Sequence, residues 1–571
     1  MLTNELGSFY LWTEQPYSKF CGLHFNLNGI VYKCLEAAVI PEKLESSTDT
    51  YPGILNQRDG LLESVYMPKK RNAIAFRYSH ATDVKLVFDV KRFNDWDEWG
   101  RNYSISVSRG CIVLKYFKKG YEDYTVYVAI KTRHKTHELL NKFVMKEYSY
   151  DNYRNSSNKR YVYDSLVIYS SFFTIAMSEN KHKAVNEAKS LYRHYDMLYK
   201  FDKRRSLKTK YIVADDQIAS AFKNAQISIA RLTNNYGIYA GLPWFCQVWS
   251  RDELISMVNL IYKDTKHAKS ILMKYFDCVN ESGRLPAILP DKGLNSADAA
   301  GWLALRIQQL IEFKKNIFKV SEKKKIVEFF DKLLLLNQKN VNDRGLVFSN
   351  TNETWMDTNY NDDGRKGYCI EIQALHMRIL ELLYLLTNGL KYKNQLDVMK
   401  STVYDLFYDE KKKVLYDHLN VDLKPSIKVR PNLFIAYYVF PDFLSKGEWE
   451  HVFDHSLKHL WLNWGGLSSI DKKIKDFVSD YTGENNKSYH RGDSWYFLNC
   501  IAAIAMHKVD SKKYKSKIDK IIKACSKESM NNGVIGSIAE VSSASHQNGV
   551  GCLSQAWSLA MFIELIGLVY D

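Results

Sequence analysis

The chain of 571 residues carries 80 Lys and Arg against 64 Asp and Glu, a formal net charge of +16, with 46% hydrophobic and 25% charged residues. That balance belongs to a globular protein with one or two large cores and excludes a disordered or collagen-like chain. The lysines are spread along the whole length, and a local run such as residues 321–325 carries its own Glu and no interleaved aromatic, so the excess charge reads as a solvated surface rather than a nucleic-acid patch.

The nine cysteines form no CxxC pair and mostly stand in apolar surroundings. They read as small buried hydrophobes in a reducing compartment. The first residues lack the charged-then-apolar pattern of a signal peptide, and no apolar run is long enough to span a bilayer. The expectation is a cytoplasmic protein without a membrane partner.

Residues 1–178 are expected to form a β domain. The segments Val84–Val90, Tyr103–Ser108, Cys111–Phe117, Tyr124–Ile130 and Leu166–Ile175 are rich in β-branched and aromatic residues, and turn clusters at Arg109-Gly110 and residues 118–120 separate them. Many strands with turn punctuation predict an antiparallel β-sandwich. Residues 179–210 then read as a helical linker, with a helix over 183–200. From 211 to 571 the period is helical: Ile218, Ala221, Phe222, Ala225, Ile229 and Leu232 form one apolar stripe. Similar stripes near 302–314, 371–387, 396–408, 447–462, 494–507 and 553–569 make this part all-α.

Polar or Gly/Trp-rich breaks interrupt the stripes at 241–252, 283–298, 351–368, 422–432, 482–495 and 533–551. With Asp252, Asp298, Asp357, Arg430, Asp493 and Glu540 as markers, the steps are 46, 59, 73, 63 and 47 residues. Each step holds two helices and their connections. Six helical hairpins closing into an (α/α)₆ barrel would gather these breaks around one funnel. The fold class expected is therefore a multidomain β plus all-α chain. An α-solenoid would show self-similar repeats, and none is visible.

The breaks carry the candidate chemistry. In the first, Trp244 and Trp249 offer stacking surface, and the adjacent Arg251 and Asp252 can grip neighbouring hydroxyls by charge-assisted hydrogen bonds. The same segment also reads as a helix start with its tryptophans in the core. Asn295 and Asp298 read either as caps for the helix from Ala299 or as site residues. In the third break, Asp357 follows Trp355 and Met356, apolar surface that raises a carboxyl pKa toward the range a general acid needs. Glu371 on the next helix is a further carboxylate with a structural or substrate-orienting role. Arg430, His490 and Trp495 fall in later breaks. His490 reads as a hydrogen-bonding histidine, since no second His or Cys stands at metal-ligand spacing. Glu540 is a second isolated carboxylate, expected to be kept ionised by Ser542, Ser543 and solvent. No GxSxG, phosphate-cradling GxxxxGK or dinucleotide glycine pattern occurs.

Taken together, the breaks resemble the amylo-α-1,6-glucosidase (glycogen debranching enzyme) family, glycoside hydrolase family 133. The matching stretches are Gly241–Phe245 with Trp249–Asp252, Asn295–Ala299, Thr354–Asp357 with Glu371–Leu375, Arg430–Asn432, Gly466–Ser469, Tyr489–Gly492, and Gly551-Cys552 with Gln555–Ser558. The likeness spans about residues 210–571. It implies an (α/α)₆ barrel and inverting hydrolysis, with Asp357 as general acid and Glu540 as general base. The Trp249–Asp252 stretch also looks like the sugar-gripping segment of glucoamylases, which implies that Arg251 and Asp252 hold a terminal glucose. Trp244, Trp249, Asp298, Trp355, Glu371, Arg430, His490, Trp495 and Trp557 are placed around that pocket. No metal or organic cofactor is implied.

The function expected is exo-acting release of glucose from α-1,6 branch stubs of glycogen or a limit dextrin. A glucoamylase-like α-1,4-glucosidase is the enzymatic alternative, with trehalase and disaccharide phosphorylase behind it. An inactive glycan-binding protein is the alternative from another class. No alternating strand-helix pattern is present, so the glucanotransferase domain of some relatives is not expected here.

Overall fold

The computed structural model describes residues 1–133, 137–204, 215–291, 293–361 and 363–570. It divides into two compact units: Met1–Lys210 with Arg231–Tyr236, and Tyr211–Ala230 with Gly237–Asp571.

The first unit is built on antiparallel strands: β1 (Leu2–Thr3), β2 (Phe9–Leu11), β3 (Gly22–Leu27), β4 (Ile30–Val39), β5 (Leu44–Asp49), β6 (Gly53–Arg58), β7 (Leu61–Tyr66), β8 (Ala73–Arg92), β9 (Arg101–Ser108), β10 (Cys111–Lys118), β11 (Tyr124–Thr132), β12 (His137–Glu147) and β13 (Lys159–Ser178). The organising pair is β8 and β13, each 20 residues long and registered from Ala73↔Ala176 to Phe88↔Tyr163. Both change their outer partner half-way. β8 takes β7 along residues 75–78 and β4 along 85–92. β13 takes β12 along 159–168 and β11 along 173–178. One apolar core results, with Leu23, Phe25, Leu35 and Phe88 from one set of ladders and Ile54, Val65, Phe76, Leu114 and Val128 from the other. The sequence reading caught the last part of β8 but expected short strands, because a polar stretch around Ser79 and His80 masks the continuity of the longer one.

A short helix, α1 (Ser149–Tyr153), precedes β13. The helix expected over 183–200 forms as α2 (Lys181–Arg204) and belongs to the first unit. Its Ala184, Val185, Ala188 and Leu191 pack on Ala73, Ala75, Val113, Ala129 and Ala176 of the strands. Alanines on the sheet leave room for the helix to approach closely, so α2 is bound to the sheet rather than spanning free. Residues 205–210 of the expected linker lie outside the described residues.

The second unit is helical: α3 (Asp216–Leu232, in this unit as far as Ala230), α4 (Ser250–Ser256), α5 (Val258–Lys263), α6 (Thr265–Lys274), α7 (Ala299–Phe313), α8 (Val320–Asn337), α9 (Ile370–Thr387), α10 (Leu390–Phe407), α11 (Asn432–Val439), α12 (Lys446–Leu460), α13 (Tyr496–Asp510), α14 (Lys515–Asn531) and α15 (Ala556–Tyr570). Helices α4, α7, α9, α11, α13 and α15 each pack on the next, and α15 returns to α4. These six are buried nearly all round, as with α13 and α15, whereas α6, α10 and α14 bury one stripe each. Of the remaining helices, α6 lies on α5 and α7, α8 and α10 lie on α9, and α14 lies on α13 and α15. A Cβ at Gly301 would stand 2.3 Å from Leu375 Cβ, so only glycine permits the α7–α9 approach. Among the described residues no helix is long and apolar enough to cross a membrane.

Candidate active site

Each of the six sequence breaks runs into the N-terminus of one of these six mutually packed helices, α4, α7, α9, α11, α13 and α15. Short backbone links tie each break or its immediate flank to the next. Val248 pairs with Leu289, the Ala297 N–H donates to Glu353 O at 2.8 Å, and Tyr368 pairs with Leu419. Arg430 Nη1 donates to His490 O at 2.7 Å, Ser494 pairs with Ser542, and Gly241 pairs with Gln555. The last link closes the circle, so the six breaks surround one region.

Asp357 lies in that region with 34% of its side chain open, the access a reacting group requires. Its surroundings are nevertheless protein, and burial raises its pKa; Arg251 opposes the rise and Asp298 adds to it. Arg251 Nη1 stands 3.5 Å from Asp357, but its Nε is committed to Asp298 Oδ2 at 2.5 Å. The guanidinium is therefore shared, and Asp357 receives only part of its charge.

Glu540 is almost fully buried. Its Oε1 accepts from the Tyr489 hydroxyl at 2.5 Å and its Oε2 from the Cys552 backbone N–H at 2.9 Å. The serines expected to serve it do not. Ser543 Oγ donates to Ser479 O at 3.0 Å, and Ser542 Oγ turns to the carbonyls of Ser543 and His546. Local backbone acceptors capture these short side chains first.

Two residues sense both carboxylates. Asp252 is pushed up to about 8 by burial, against the pull of Arg251 and with the charges of Glu540 and Asp357 adding to the rise. The Tyr489 hydroxyl is driven well above its ordinary range by burial, then by Glu540 and Asp357. Asp252 and Tyr489 therefore lie within electrostatic reach of both Asp357 and Glu540. Asp252 Oδ1 also accepts from Gln555 Nε2 at 2.9 Å.

His490 is buried and shares a 2.7 Å hydrogen bond between its Nδ1 and Thr358, the residue after Asp357. Burial and the charges of Arg430, Arg491, Arg251 and Arg365 hold it neutral, well below the usual histidine range. Its ring stacks on Trp495 at 5.1 Å with a 9° interplanar angle. Trp355 meets His490, Trp495 and Phe497 edge-on and donates its Nε1–H to Asn432 at 2.7 Å. Trp557 stacks on Phe497 at 4.2 Å. Trp355, Trp495 and Trp557 are therefore a packed floor, whereas Trp244 and Trp249 are only half-buried and keep ring surface open.

Three expected site residues are turned to other work. Both oxygens of Glu371 accept from Arg365, at 2.6 and 2.8 Å, and the same guanidinium grips Asp417. Glu371 anchors its loop instead of presenting a free carboxylate. Arg430 is spent on Asp363 and the His490 carbonyl, which clamps two breaks together. Asp298 stands at the start of α7 without capping it. Ser296 Oγ accepts the Ala299 N–H at 3.1 Å instead, which leaves Asp298 free to hold Arg251. Asn295 accepts from Asn280.

A family profile described as amylo-alpha-1,6-glucosidase matches residues 209–564, more than half of the chain. The chain belongs to this family. It is accordingly a glycoside hydrolase. Among solved structures, a bacterial glucoamylase complexed with acarbose is similar at 13% identity and a TM-score of 0.64, covering 99% of this chain and 94% of that one. At that identity the likeness speaks for the fold alone. A GH63 mannosylglycerate hydrolase from Thermus thermophilus, in complex with Tris and D-glycerate, aligns at 14% identity and a TM-score of 0.46 over 61% of this chain and all of that one. No curated protein matches.

Within this amylo-alpha-1,6-glucosidase family member, the sequence reading missed Tyr489, Gln555, Asn432 and Arg365 as organisers of the site. Tyr489 and Gln555 stand beside residues that were singled out, in the stretches Tyr489–Gly492 and Gln555–Ser558. For Gln555 the signal was a polar side chain directly before the apolar helix α15. Arg365 carried no such signal, because Asp417, which it holds together with Glu371, stands 52 positions away and outside the breaks.

Proposed function

We propose that this chain is an exo-acting, inverting hydrolase that releases glucose from α-1,6 branch stubs of glycogen or a limit dextrin. The observation that carries the reading is the pairing of an open, pKa-raised Asp357 with a doubly hydrogen-bonded Glu540, both bearing on Asp252 and Tyr489. Asp357 donates its proton to the glycosidic oxygen as the bond from that oxygen to the anomeric carbon breaks. Glu540 takes a proton from the water whose oxygen bonds to the anomeric carbon from the opposite face. Inversion asks for a carboxyl separation of roughly 6.5–9.5 Å, room for that water.

Arg251 and Asp252 grip the terminal glucose, and Trp244 and Trp249 supply its stacking surface. Trp249 Nε1, His490 Nε2, Gln555 Oε1 and Trp557 Nε1 are buried without a partner among the described residues. Sugar hydroxyls would satisfy such atoms, which are costly to leave unpaired. The closed succession of α4, α7, α9, α11, α13 and α15 supports an (α/α)₆ barrel, and the shared core of the two sets of ladders supports a β-sandwich. The free cysteines fit a cytoplasmic setting.

The test is incubation of the pure protein with isomaltose, panose, maltose, trehalose and a phosphorylase limit dextrin, with the anomer of released glucose followed by NMR. β-Glucose from the limit dextrin and panose is expected. α-Glucose as first product, or cleavage of maltose alone, overturns the proposal.

A further inference from the structure

Glu528 stands on α14, in none of the six breaks and among none of the residues assigned to the site, yet it is only 1% exposed. A carboxylate this deep in the helical unit needs donors. The Asn532 amide, just past the end of the same helix, donates to its Oε2 at 2.9 Å. The Tyr496 hydroxyl, at the start of α13, donates to the same oxygen at 3.0 Å. The remaining side of the carboxylate meets the backbone of the last break. Burial raises the Glu528 pKa, and Asn532, Tyr496 and the backbone N–H groups of Ala539 and Gly549 oppose the rise. A Cβ at Gly549 would stand 1.7 Å from Glu528 Oε1, so the carboxylate is seated directly on that backbone.

These contacts bear on Glu540 by short paths. Ala539 is its neighbour in the chain. Val541 pairs with Val550 and Ser542 with Gly549, so the two arms of the loop form a narrow ribbon that begins at Glu540. The Glu540 N–H donates to Cys552 O at 2.8 Å, and its carbonyl accepts the Tyr496 N–H at 3.3 Å. Tyr496 therefore holds Glu540 by its backbone and Glu528 by its hydroxyl. One carboxylate thus meets both arms of the ribbon and also the tyrosine that fixes the Glu540 carbonyl. Burying a carboxylate is a poor route to stability alone, since an apolar side chain of similar volume often serves as well or better. Its directional hydrogen bonds are what an apolar side chain could not supply.

We propose that Glu528 is a positioning residue for Glu540, a clamp on residues 539–549 that holds the base where it can activate water. That Glu540 is the base rests on the hydrolytic reading above; the clamp rests on the contacts themselves. Placement of this kind matters because a shift of about 1 Å can cost a reaction roughly 10²-fold. The role depends on reach rather than on charge. Glutamine keeps the length and an acceptor oxygen for the backbone, and the Tyr496 hydroxyl can rotate to accept from its NH2. Aspartate keeps the charge but is one methylene shorter, which draws the carboxylate away from Gly549.

The test compares Glu528→Asp and Glu528→Gln with the wild type, in the full chain, by hydrogen–deuterium exchange and by kinetics on panose and α-glucosyl fluoride. Fluoride leaves with little help from a general acid, so a displaced base slows both substrates, whereas a fault at Asp357 slows panose alone. Glu528→Asp is expected to speed exchange over residues 538–552 roughly tenfold while residues 351–368 stay as in the wild type. Its kcat should fall roughly ten- to a hundredfold on both substrates, with KM within about twofold. Glu528→Gln should stay within about threefold of the wild type in exchange and kcat. Should aspartate cost the fold, Tyr496→Phe, which cuts only the hydroxyl link, is expected to lower kcat by about three- to tenfold on both substrates. Wild-type kcat per folded molecule in the deciding variant, a loss confined to KM or to panose, or glutamine as impaired as aspartate overturns the proposal. A wild-type protein that releases no glucose from panose, with exchange still raised locally in Glu528→Asp, upholds the clamp and refutes the catalytic reading instead.

Discussion

Asp89 in the sheet unit and Asp357 in the helical unit are both carboxylates beside arginine, and they are opposites. Asp89 is fully buried, with Arg160 at 2.8 Å, Arg101 at 2.9 Å and Lys33 at 3.4 Å. Burial alone would raise it, but Arg160, Lys33 and Arg101 hold it well below the usual carboxylate range. Asp357 is a third open, and its single arginine is more tightly bound to Asp298. Burial there wins over pairing, and the pKa rises. The first cluster surrounds one carboxylate with three cations, and serves architecture. The second is left under-compensated, the direction that the proposed general acid requires.

The contrast breaks most visibly if each carboxylate is neutralised in turn. Asp357→Asn should lower hydrolysis roughly 10³-fold, within the range that a general acid contributes, and leave the thermal midpoint unchanged. Glu540→Gln should lower hydrolysis to a similar degree, with some loss of thermal midpoint because its amide turns an NH2 toward a buried donor. Glucose release and calorimetry on the same preparations separate the two effects, and full activity in either variant defeats the assignment. The pH profile follows from the sign of the shift: Asp357 must be protonated to act, so activity declines as pH rises through its elevated pKa. Asp89→Asn should behave conversely. It leaves Lys33, Arg101 and Arg160 without their shared anion, a loss of about 3–5 kcal/mol as for other broken buried pairs. The surviving folded fraction should keep its specific activity.

A smaller effect sharpens the second cluster. Tyr489→Phe removes the hydroxyl that donates to Glu540 Oε1. Hydrogen bonds to charged groups are worth about 1.5–3 kcal/mol, so kcat should fall roughly ten- to a hundredfold. KM should move little, because the bond orients the base and not the sugar. An unchanged kcat would show that the Tyr489 hydroxyl is not needed to orient the base.

Periodicity and punctuation made much of this legible beforehand. The stripe from Ile218 to Leu232 is α3, and the six breaks fall before α4, α7, α9, α11, α13 and α15 because polar loops must end one apolar helix before the next begins. Asp357 and Arg251 could be singled out because each sits in a short, unusual segment. What stayed hidden depends on distant partners. Arg365 joins Glu371 on α9 to Asp417, 52 positions from Arg365, and Glu540 accepts from a tyrosine 51 positions earlier and from a backbone N–H. Ser296 displaced Asp298 as the cap of α7, a choice decided by the competing pull of Arg251. In the sheet unit, alternation reveals strands but not that β8 and β13 each change partners half-way.

The finest comparison concerns stability against pH. Asp493, near the same site, is pushed up to about 8 by burial, against the hydrogen bond from Ser488 and with the charge of Glu540 adding to the rise. In an unfolded chain it titrates near 3.9. Between about pH 4 and pH 8 the folded protein therefore holds a proton that the unfolded chain has lost, and stability falls as pH rises through that window. Asp89 has the reverse sign: its contribution is present above its unfolded pKa and is lost only as acid reaches its depressed folded pKa. Asp493→Asn keeps the acceptor for Ser488 and removes the titration. Its denaturation midpoint should consequently gain on that of the wild type as pH rises from 5 to 8, with the two closest at the acid end. Parallel midpoints across that range would mean that Asp493 is ionised in the folded protein at neutral pH, and that the helical unit holds this buried carboxylate charged as the sheet unit holds Asp89.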